Sequence, residues 1–498
     1  MTALAAFDGG YYAPSWGWSA LALVWGTALA LLIRRNVELD RLKLLWLGAF
    51  VALAGWIWLS NLWSESATLS LLEGQRTLAY VAGAAFVVVA TPRAAAESLL
   101  GAVAAAGSLV SAYALLQPDE LAFGEPVGYS NALALFAAMA ALLALGFALH
   151  ASRLWIRIAA AAALVPLGAV ITLTASRGAW LALAAGLVVF VALSERRRVT
   201  IALAVTAVAV LALAGIASLA LLTRGSESAP HATSLRADLF TLVGNDRGHY
   251  WAAALESISD HPFLGSGAGT FSRMWLRYRH EDLGVLDAHN LYLEALSELG
   301  PIGLALLIGT LAIPFAAAVA SRNVPLVAPA AAAYAAFLVH AGVDWDWEMP
   351  VVTLSAVLVG GYLVVSASSR HRALAARERV AAVVLTLALG SIAFVGLVAN
   401  SALTSATVAL EEGRPGRAAA EARRAERWAL WSAEPSRLQA EALLAQGELR
   451  PARTALSETL RRDPGDVRSW RLLAQNWPRD RRRAYAIVAR LDPHGPPP

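Results

Sequence analysis

The sequence predicts an all-α protein that crosses a membrane about twelve times, with one large loop and a small helical-repeat domain at the C-terminus. Of the 498 residues, 58% are hydrophobic and only 15% are charged, whereas soluble domains carry about 25% charged residues. Apolar stretches long enough to span a bilayer recur up to about residue 400. These observations exclude a soluble globular enzyme, a disordered chain and a nucleic-acid-binding domain with a basic patch.

The apolar stretches define twelve predicted spans and four regions. Residues 1–222 contain spans one to eight, residues 223–300 form a large loop, residues 301–400 contain spans nine to twelve, and residues 401–498 form the tail. The first span has no basic segment before it, so we expect no cleaved signal peptide. The spans are predicted at 16–33, 44–62, 77–90, 97–116, 130–149, 156–174, 179–193, 200–222, 301–320, 325–343, 351–367 and 379–398.

Basic residues predict how the chain is oriented, because they occur in every second connection between spans. Short cytoplasmic loops retain Lys and Arg, so the N-terminus, the large loop and the tail are predicted outside. The opposite short connections hold only Arg76 and Arg177. The cytoplasmic set comprises Arg34, Arg35, Arg41, Lys43, Arg93, Arg153, Arg157, Arg196, Arg197, Arg198, Arg322, Arg370, Arg372, Arg377 and Arg379.

The large loop is predicted to contain two short helices around a glycine-rich turn. Apolar positions recur at helical spacing after Asn245, and His261-Pro262 ends that helix. Gly265, Gly267 and Gly269 then favour a tight turn, with phosphate binding by the backbone amides as the alternative. A second helix is predicted from 288 to 299, ending at Gly300-Pro301.

The tail shows a 34-residue self-similarity and resembles tetratricopeptide repeats. Gly413 aligns with Gly447, and Ala418 aligns with Ala452. Because two units are close to the minimum for a stable stack, we expect the tail to pack on the membrane domain or on a protein partner. The alternative is an arginine-rich helical hairpin without a partner.

Three polar side chains at the predicted outer face are candidates for chemistry. Arg177 and Arg247 are candidate anion ligands, because the guanidinium fork donates paired hydrogen bonds to a pyrophosphate and keeps its charge. The alternatives are a snorkelling arginine and a solvated charge at a helix end. A histidine that titrates near neutrality can take a proton from a hydroxyl, so His289 is a candidate general base; a structural histidine at a helix start is the alternative. His249, His261 and His280 compete for that role.

The segment from His340 to Pro350 places three carboxylates, Asp344, Asp346 and Glu348, among tryptophans. We interpret it as a solvated turn within an interfacial aromatic belt. A divalent cation site, or a set of hydrogen bonds to sugars, is the alternative. The sequence contains no cysteine, so neither a disulfide nor a thiolate metal site is expected.

Three motifs together resemble the O-antigen ligase family, which is related to the O-antigen polymerases. They are LTASRGAW at 173–180, RGHYW at 247–251 leading to DHPFLGSGAGTF at 260–271, and AHNLYLEALSELG at 288–300. The resemblance is clearest over residues 165–350. The family places both chain ends inside, whereas the twelve predicted spans place this tail outside.

The resemblance implies a membrane glycosyltransferase of the multi-span C type (GT-C) in the plasma (inner) membrane. Such an enzyme moves a glycan from an undecaprenyl-pyrophosphate carrier to a glycan, lipid or protein acceptor, without a cofactor, metal or nucleotide sugar. By motif, Arg177 and Arg247 correspond to pyrophosphate ligands and His289 to the general base. Accessory residues are Ser176, Trp251, Asn290, Tyr292 and Asp344.

Three other functions remain open from the sequence. A polymerase uses the same donor and differs only in its acceptor. A transporter or flippase of lipid-linked sugars would place ionisable or Gly/Pro-broken helices at mid-membrane, whereas here the charges are predicted at the outer face. A non-catalytic scaffold would use the tail to recruit protein partners.

Overall fold

The computed structural model describes residues 1–34, 36–117, 121, 124–194, 247–279, 284–368 and 372–495. The predicted all-α fold is confirmed for this part of the chain. The eighth predicted span, the start of the large loop up to residue 246 and His280 lie outside the described residues. The helices are α1 (Thr2–Ala5), α2 (Ala13–Ile33), α3 (Arg41–Ser60), α4 (Ala67–Ala90), α5 (Glu97–Ala114), α6 (Ser130–His150), α7 (Leu154–Leu173), α8 (Arg177–Leu193), α9 (Arg247–Asp260), α10 (Phe271–Tyr278), α11 (Leu291–Ala320), α12 (Val327–His340), α13 (Pro350–Ala367), α14 (Ala376–Glu411), α15 (Pro415–Glu426), α16 (Glu434–Ala445), α17 (Leu449–Arg462), α18 (Val467–Asn476) and α19 (Pro478–Leu491).

Eight segments of the described chain are long and apolar enough to cross a membrane: α2, α3, the segment Arg93–Ala114 that contains α5, α6, α7, α11, α13 and α14. Helices α8 and α12 are also apolar, but they are shorter than these eight segments. Helix α4 is 24 residues long and starts at Ala67, whereas the sequence predicts the third span from residue 77. The prediction that Arg76 lies in a connecting loop is therefore wrong. Hydropathy missed the first turns of α4 because they carry Glu73, Gln75 and Arg76.

The second loop helix and the ninth span form one kinked helix, α11. Asn290 caps its start, since the Oδ1 atom accepts hydrogen bonds from the amides of Tyr292 and Leu293 at 3.1 and 3.0 Å. The kink lies at Gly300, where φ is +68° and an added Cβ would lie 2.3 Å from the carbonyl oxygen of Phe263. Only glycine fits this backbone and this close approach. The residues before α11 are thereby held in a fixed position above a membrane span.

One end of the helical bundle gathers loops that the sequence predicts to be cytoplasmic. Strand β1 (Glu38–Leu39) pairs antiparallel with strand β2 (Arg372–Ala373), with Glu38 opposite Ala373. Arg93 donates hydrogen bonds to the carbonyl oxygens of Ser368 and Ser366, both at 2.9 Å. The connections after α2 and α13 thus lie together, as a common membrane side requires.

The glycine-rich turn lies at the opposite end and packs against the α3–α4 connection. The amide of Glu65 bonds the carbonyl of Ser266 at 3.0 Å, and at Gly267, with φ +105°, an added Cβ would lie 2.3 Å from Ser64 Oγ. The amides of Gly267 and Gly269 donate to the backbone carbonyl and the carboxylate of Glu298, at 2.8 and 2.7 Å. Phosphate binding by these two amides is therefore excluded in this conformation.

The tail continues directly from α14 as five short helices that pack in chain order, α15 to α19. Gly413 and Gly447, the aligned glycines, both follow helix ends with positive φ, +67° and +78°, and the aligned Ala418 and Ala452 are both fully buried. The self-similarity is thus visible in backbone and packing. Assignment to the tetratricopeptide class stays a prediction.

The tail lies at the same end of the bundle as the large loop and is bonded to it. Asp463 accepts hydrogen bonds from Ser66 Oγ and Arg273 Nη2, both at 2.8 Å. Arg279, directly after α10, forms a bidentate ion pair with Asp492 at 2.9 Å, and their side chains are only 4% and 1% exposed. The prediction of one common side for loop and tail is consistent with these contacts.

Replacing Arg279 by alanine is expected to detach the end of the tail. Removing one partner of a buried ion pair costs up to about 3–5 kcal/mol, because the other charge stays buried. Asp492 keeps its bond to Arg471 at 2.6 Å, so we expect the lower end of this range. Thermal unfolding and limited proteolysis of the tail measure the effect. The matched control is Arg461→Ala, whose exposed i,i+3 pair with Glu458 is worth less than about 1 kcal/mol. Equal effects of the two substitutions would contradict the assigned contact.

Candidate active site

Each of the three candidate residues lies at the start of a helix. Arg177 is the first residue of α8, Arg247 is the first residue of α9, and His289 directly precedes the N-cap of α11. Helix N-termini favour anions, because their free amides and the helix dipole are positive there. All three helix starts lie at the end of the bundle that carries the large loop.

The backbone turn at His289 fixes the orientation of its ring. His289 has φ +54°, a left-handed conformation that His, Asn and Asp adopt more readily than other side chains. Its Nδ1 atom lies 3.1 Å from the carbonyl oxygen of Asp287. A carbonyl only accepts, so Nδ1 carries the proton of the neutral ring and Nε2 keeps its lone pair. The ring packs against Tyr250 at 5.0 Å and Trp345 at 6.5 Å between centroids.

Arg247 is held by Asp344, whose carboxylate is fully buried and accepts four hydrogen bonds. The donors are Arg247 Nη2 at 2.7 Å, Asn131 Nδ2 at 2.7 Å, Tyr129 Oη at 2.8 Å and the amide of Trp345 at 2.9 Å. The Arg247 side chain is 22% exposed. Asp344 therefore holds the arginine through its Nη2 atom at the edge of a buried network.

The prediction that the acidic turn at 344–348 is solvated is wrong. Asp344 and Asp346 are fully buried, and Glu348 is only 9% exposed. Asp346 pairs with the buried His340 at 3.1 Å. The carboxylates are covered because Tyr129 and the start of α9 lie over the turn, an arrangement that a local sequence pattern does not reveal.

Arg177 reaches the same region through its neighbour. Ser176 caps α8 by accepting a hydrogen bond from the amide of Ala179 at 3.2 Å. An added Cβ at Gly178 would lie 2.8 Å from the ring of His340, the residue that pairs with Asp346. The start of α8 thus lies beside His340, and His340 bonds Asp346 in the turn that holds Arg247.

The accessory residues predicted from sequence have mostly structural contacts. Ser176 and Asn290 are helix caps, and Tyr292 Oη donates to the carbonyl of Leu338 at 2.8 Å. Trp251 lies in α9, and its indole N–H is buried without an acceptor among the described residues. Of the competing histidines, His261 lies 3.6 Å from Glu65, away from the Arg247–Asp344 pair.

Sequence reasoning missed a cluster of buried carboxylates below the His289 turn. Carboxylate oxygens of Asp287, Glu294 and Glu348 lie within 4.8 Å of one another. Burial, and then the Glu348 carboxylate, raises the pKa of Asp287 well above its usual value. Arg76 pairs with Glu348 from the side of α4. The acidic pair Glu294 and Glu298, one turn apart on an otherwise apolar helix, was the available signal.

Burial lowers the pKa of His289, an effect opposed by its bond to the Asp287 carbonyl and by Asp344. Because burial disfavours the charged imidazolium, the neutral base persists to lower pH than for a solvated histidine. We therefore expect the acid limb of kcat/KM for transfer to have its midpoint below pH 6.5, the ordinary histidine value. A pH–rate profile measures this; a midpoint above pH 7 would contradict a buried base at this position.

These features define a multi-pass helical membrane protein with an arginine- and histidine-bearing site beneath its large loop. Residues 162–308 match the O-antigen ligase family, which confirms the family indicated by the three motifs. The matched range contains Arg177, Arg247 and His289. No curated protein matches the chain. The match covers the central part of the chain and supports a membrane glycosyltransferase of the O-antigen ligase and polymerase type.

Proposed function

We propose that this protein, in the plasma (inner) membrane, transfers a glycan from an undecaprenyl-pyrophosphate carrier to an acceptor hydroxyl at the outer face. The observation that carries the proposal is the placement of His289 and Arg247 around one buried turn, inside the segment that matches the family. The proposal requires neither a cofactor nor a metal ion.

His289 acts as the general base through Nε2. The acceptor oxygen attacks the anomeric carbon and gives its proton to Nε2, while the bond from the anomeric carbon to the pyrophosphate oxygen breaks. The bonding pair leaves with undecaprenyl pyrophosphate. Nδ1 donates to the Asp287 carbonyl at 3.1 Å throughout, so that bond orients the ring and supports the imidazolium that forms.

Arg177 and Arg247 stabilise the charge that grows on the departing pyrophosphate. Positioned donors act most strongly where charge develops in the transition state, and removing one typically costs about 10²–10³-fold in rate. Asp344 holds Arg247 in place before the donor arrives, so the guanidinium needs little reorganisation.

The test is release of undecaprenyl pyrophosphate from a lipid-linked oligosaccharide by the purified protein, with the labelled glycan followed to its product. Host envelope extract and a second lipid-linked glycan serve as alternative acceptors. Transfer to the extract indicates a ligase, whereas chain growth on the second carrier indicates a polymerase. Movement of the intact donor across the bilayer without pyrophosphate release would support a flippase and contradict the proposal.

The tail is proposed to lie outside with the large loop, where it can meet a protein partner or the acceptor. Support comes from its bonds to the loop through Asp463 and Asp492. In that position the tail would affect acceptor choice more than donor cleavage, because it contacts α10 and not the Arg247–Asp344 pair.

A further inference from the structure

The first helix of the tail folds back along α14 toward the membrane. Ala409 of α14 shares a buried cluster with Ala418 of α15, and Ala406 shares the next cluster with Ala422. Because positions in α15 rise as positions in α14 fall, the two helices are antiparallel. The end of α15 therefore returns toward the membrane-spanning part of α14.

Trp428, just after α15, contacts this spanning part through Phe394. The two ring centroids are 6.3 Å apart, and the ring planes are at 88°. Phe394 is 49% exposed and precedes the predicted end of the span at residue 398. At 1.5 Å per residue, Phe394 lies about 6 Å inside that end. Since lipid covers the exposed face of a spanning helix, Trp428 meets lipid at this height.

The α15–α16 connection, residues 427–433, presents apolar side chains outward. Trp428 is 38% exposed and Leu430 is 74% exposed, whereas Ala429 between them is buried. The backbone is also held by a second span, because the amide of Ala433 donates to Thr68 Oγ1 of α4 at 2.9 Å. The exposed side chains thus form an apolar protrusion that is fixed to both α4 and α14.

Trp18 of α2 marks a similar height on the neighbouring helix. An added Cβ at Gly17 would lie 3.1 Å from the side chain of Leu397, so the segments around these two residues are in contact. Trp18 is 65% exposed. Trp and Tyr are enriched where a membrane meets water. Trp18 and Trp428 therefore fit one aromatic belt, at the end of the bundle that carries the large loop.

Arginines of α15 lie close to the protrusion in the chain. Arg423, Arg424 and Arg427 are all exposed and precede Trp428 by five residues or fewer. At a membrane surface, an arginine keeps its guanidinium among the headgroups while its stem covers apolar surface. Basic side chains next to Trp and Leu are typical of segments that lie in the membrane interface.

We propose that the α15–α16 connection is an interfacial membrane anchor, which inserts Trp428 and Leu430 among the lipids of the leaflet next to the large loop. Interfacial segments bury apolar side chains about 5–10 Å into the boundary between headgroups and acyl chains, which matches the height of Phe394. The anchor fixes the first part of the tail on the bilayer, while Asp463 and Asp492 bond its later part to the loop. This membrane contact is independent of glycan transfer.

The test uses Leu430→Cys, which gives a single labelling position because the chain contains no cysteine. The full-length protein carries a fluorophore at this position and is placed, one copy per disc, in nanodiscs of a zwitterionic lipid. We expect loss of emission with a lipid that carries a nitroxide near its headgroup, and little loss with iodide in the water.

Three results would overturn the proposal. Quenching by iodide and not by the lipid nitroxide would place the protrusion in water, where it is free for a protein partner. Protection from both quenchers would mean that protein covers it. Stronger quenching by a nitroxide at the end of the lipid chain would place the connection near the bilayer centre and not at the interface.

Leu449→Cys is the matched control within the tail. Leu449 is 47% exposed and begins α17. Helix α16 has 12 residues, so it separates Leu449 from the α15–α16 connection by about 18 Å at 1.5 Å per residue. We expect a label at this position to be quenched by iodide and not by the lipid nitroxide. Equal lipid quenching at both positions would contradict the assigned anchor.

Trp428→Gln, introduced together with Leu430→Cys, removes the aromatic ring and leaves the labelling position. We expect lipid quenching to fall and iodide quenching to rise, because the polar amide favours water. Leu449→Gln in the same background replaces an exposed leucine away from the connection and should leave both signals unchanged. Unchanged quenching in the Trp428 variant, or the same change in both variants, would contradict the role of Trp428.

Discussion

Replacing His289 by asparagine is expected to lower glycan transfer by about 10²–10⁴-fold, the usual contribution of a general base. Asparagine tolerates the left-handed backbone at this position, where φ is +54°. It offers no group that takes a proton near neutral pH. The fold of the turn should therefore persist while the chemistry is lost. Release of undecaprenyl pyrophosphate under saturating donor measures the loss.

The matched control for this variant is His261→Asn. His261 lies in the same loop, 3.6 Å from Glu65, and contacts neither Arg247 nor Trp345 in the described structure. We expect its transfer rate to stay close to that of the wild type. Donor binding by the His289 variant should also be unchanged, because the arginines remain. Full activity of His289→Asn with normal membrane insertion would remove His289 as the base.

Replacing Asp344 by alanine is expected to reduce both stability and transfer. The substitution leaves Arg247, Tyr129 and Asn131 without their shared acceptor at a fully buried position. Breaking a buried ion pair in this way costs about 3–5 kcal/mol of unfolding free energy. Transfer should fall about 10²-fold or more, because Arg247 is no longer held where pyrophosphate charge develops. Thermal unfolding and donor cleavage measure the two effects separately.

One further variant separates the charge of Asp344 from its hydrogen bonds, and a second variant at Asp480 serves as the control. Asp344→Asn keeps an oxygen acceptor for Tyr129 and the Trp345 amide. It turns an amide NH2 toward the Arg247 and Asn131 donors, so it should recover part of the stability and little of the transfer. Asp480→Ala removes an exposed partner of Arg453 and should cost less than about 1 kcal/mol. Normal transfer by Asp344→Asn would mean that the charge of Asp344 does not position Arg247.

The membrane architecture was largely predictable because it depends on local composition. Runs of apolar residues predict helices α2, α3, α6, α7 and α13 with bounds close to those observed, whereas α14 continues to Glu411, beyond the predicted end at residue 398. The prediction was wrong at the start of α4, where Glu73 and Arg76 lower the local hydropathy although their side chains pair with each other. A hydropathy window cannot register a charge that is neutralised by a partner inside the protein.

The candidate residues were also predictable one at a time, since Arg177, Arg247 and His289 stand in recognisable motifs. The environments of these residues could not be predicted from the sequence. The acidic turn at 344–348 appears solvated in the sequence, yet Asp344 is buried under donors from α6 and α9. Glycines 267 and 269 suggest a phosphate-binding turn, yet their amides bond Glu298.

The sequence by itself determined that this chain spans a membrane many times and that its central segment resembles the O-antigen ligases. It also identified which arginines and which histidine are candidates for chemistry. Only the tertiary structure decided that Tyr129, Arg247 and Asp344 form one network, and that Glu73, Asp287 and Glu348 line one cavity. The reason is physical: periodicity and hydropathy report on neighbours within a few turns of a helix. Charge pairing and burial depend on side chains that are hundreds of positions apart and meet only when the helices pack.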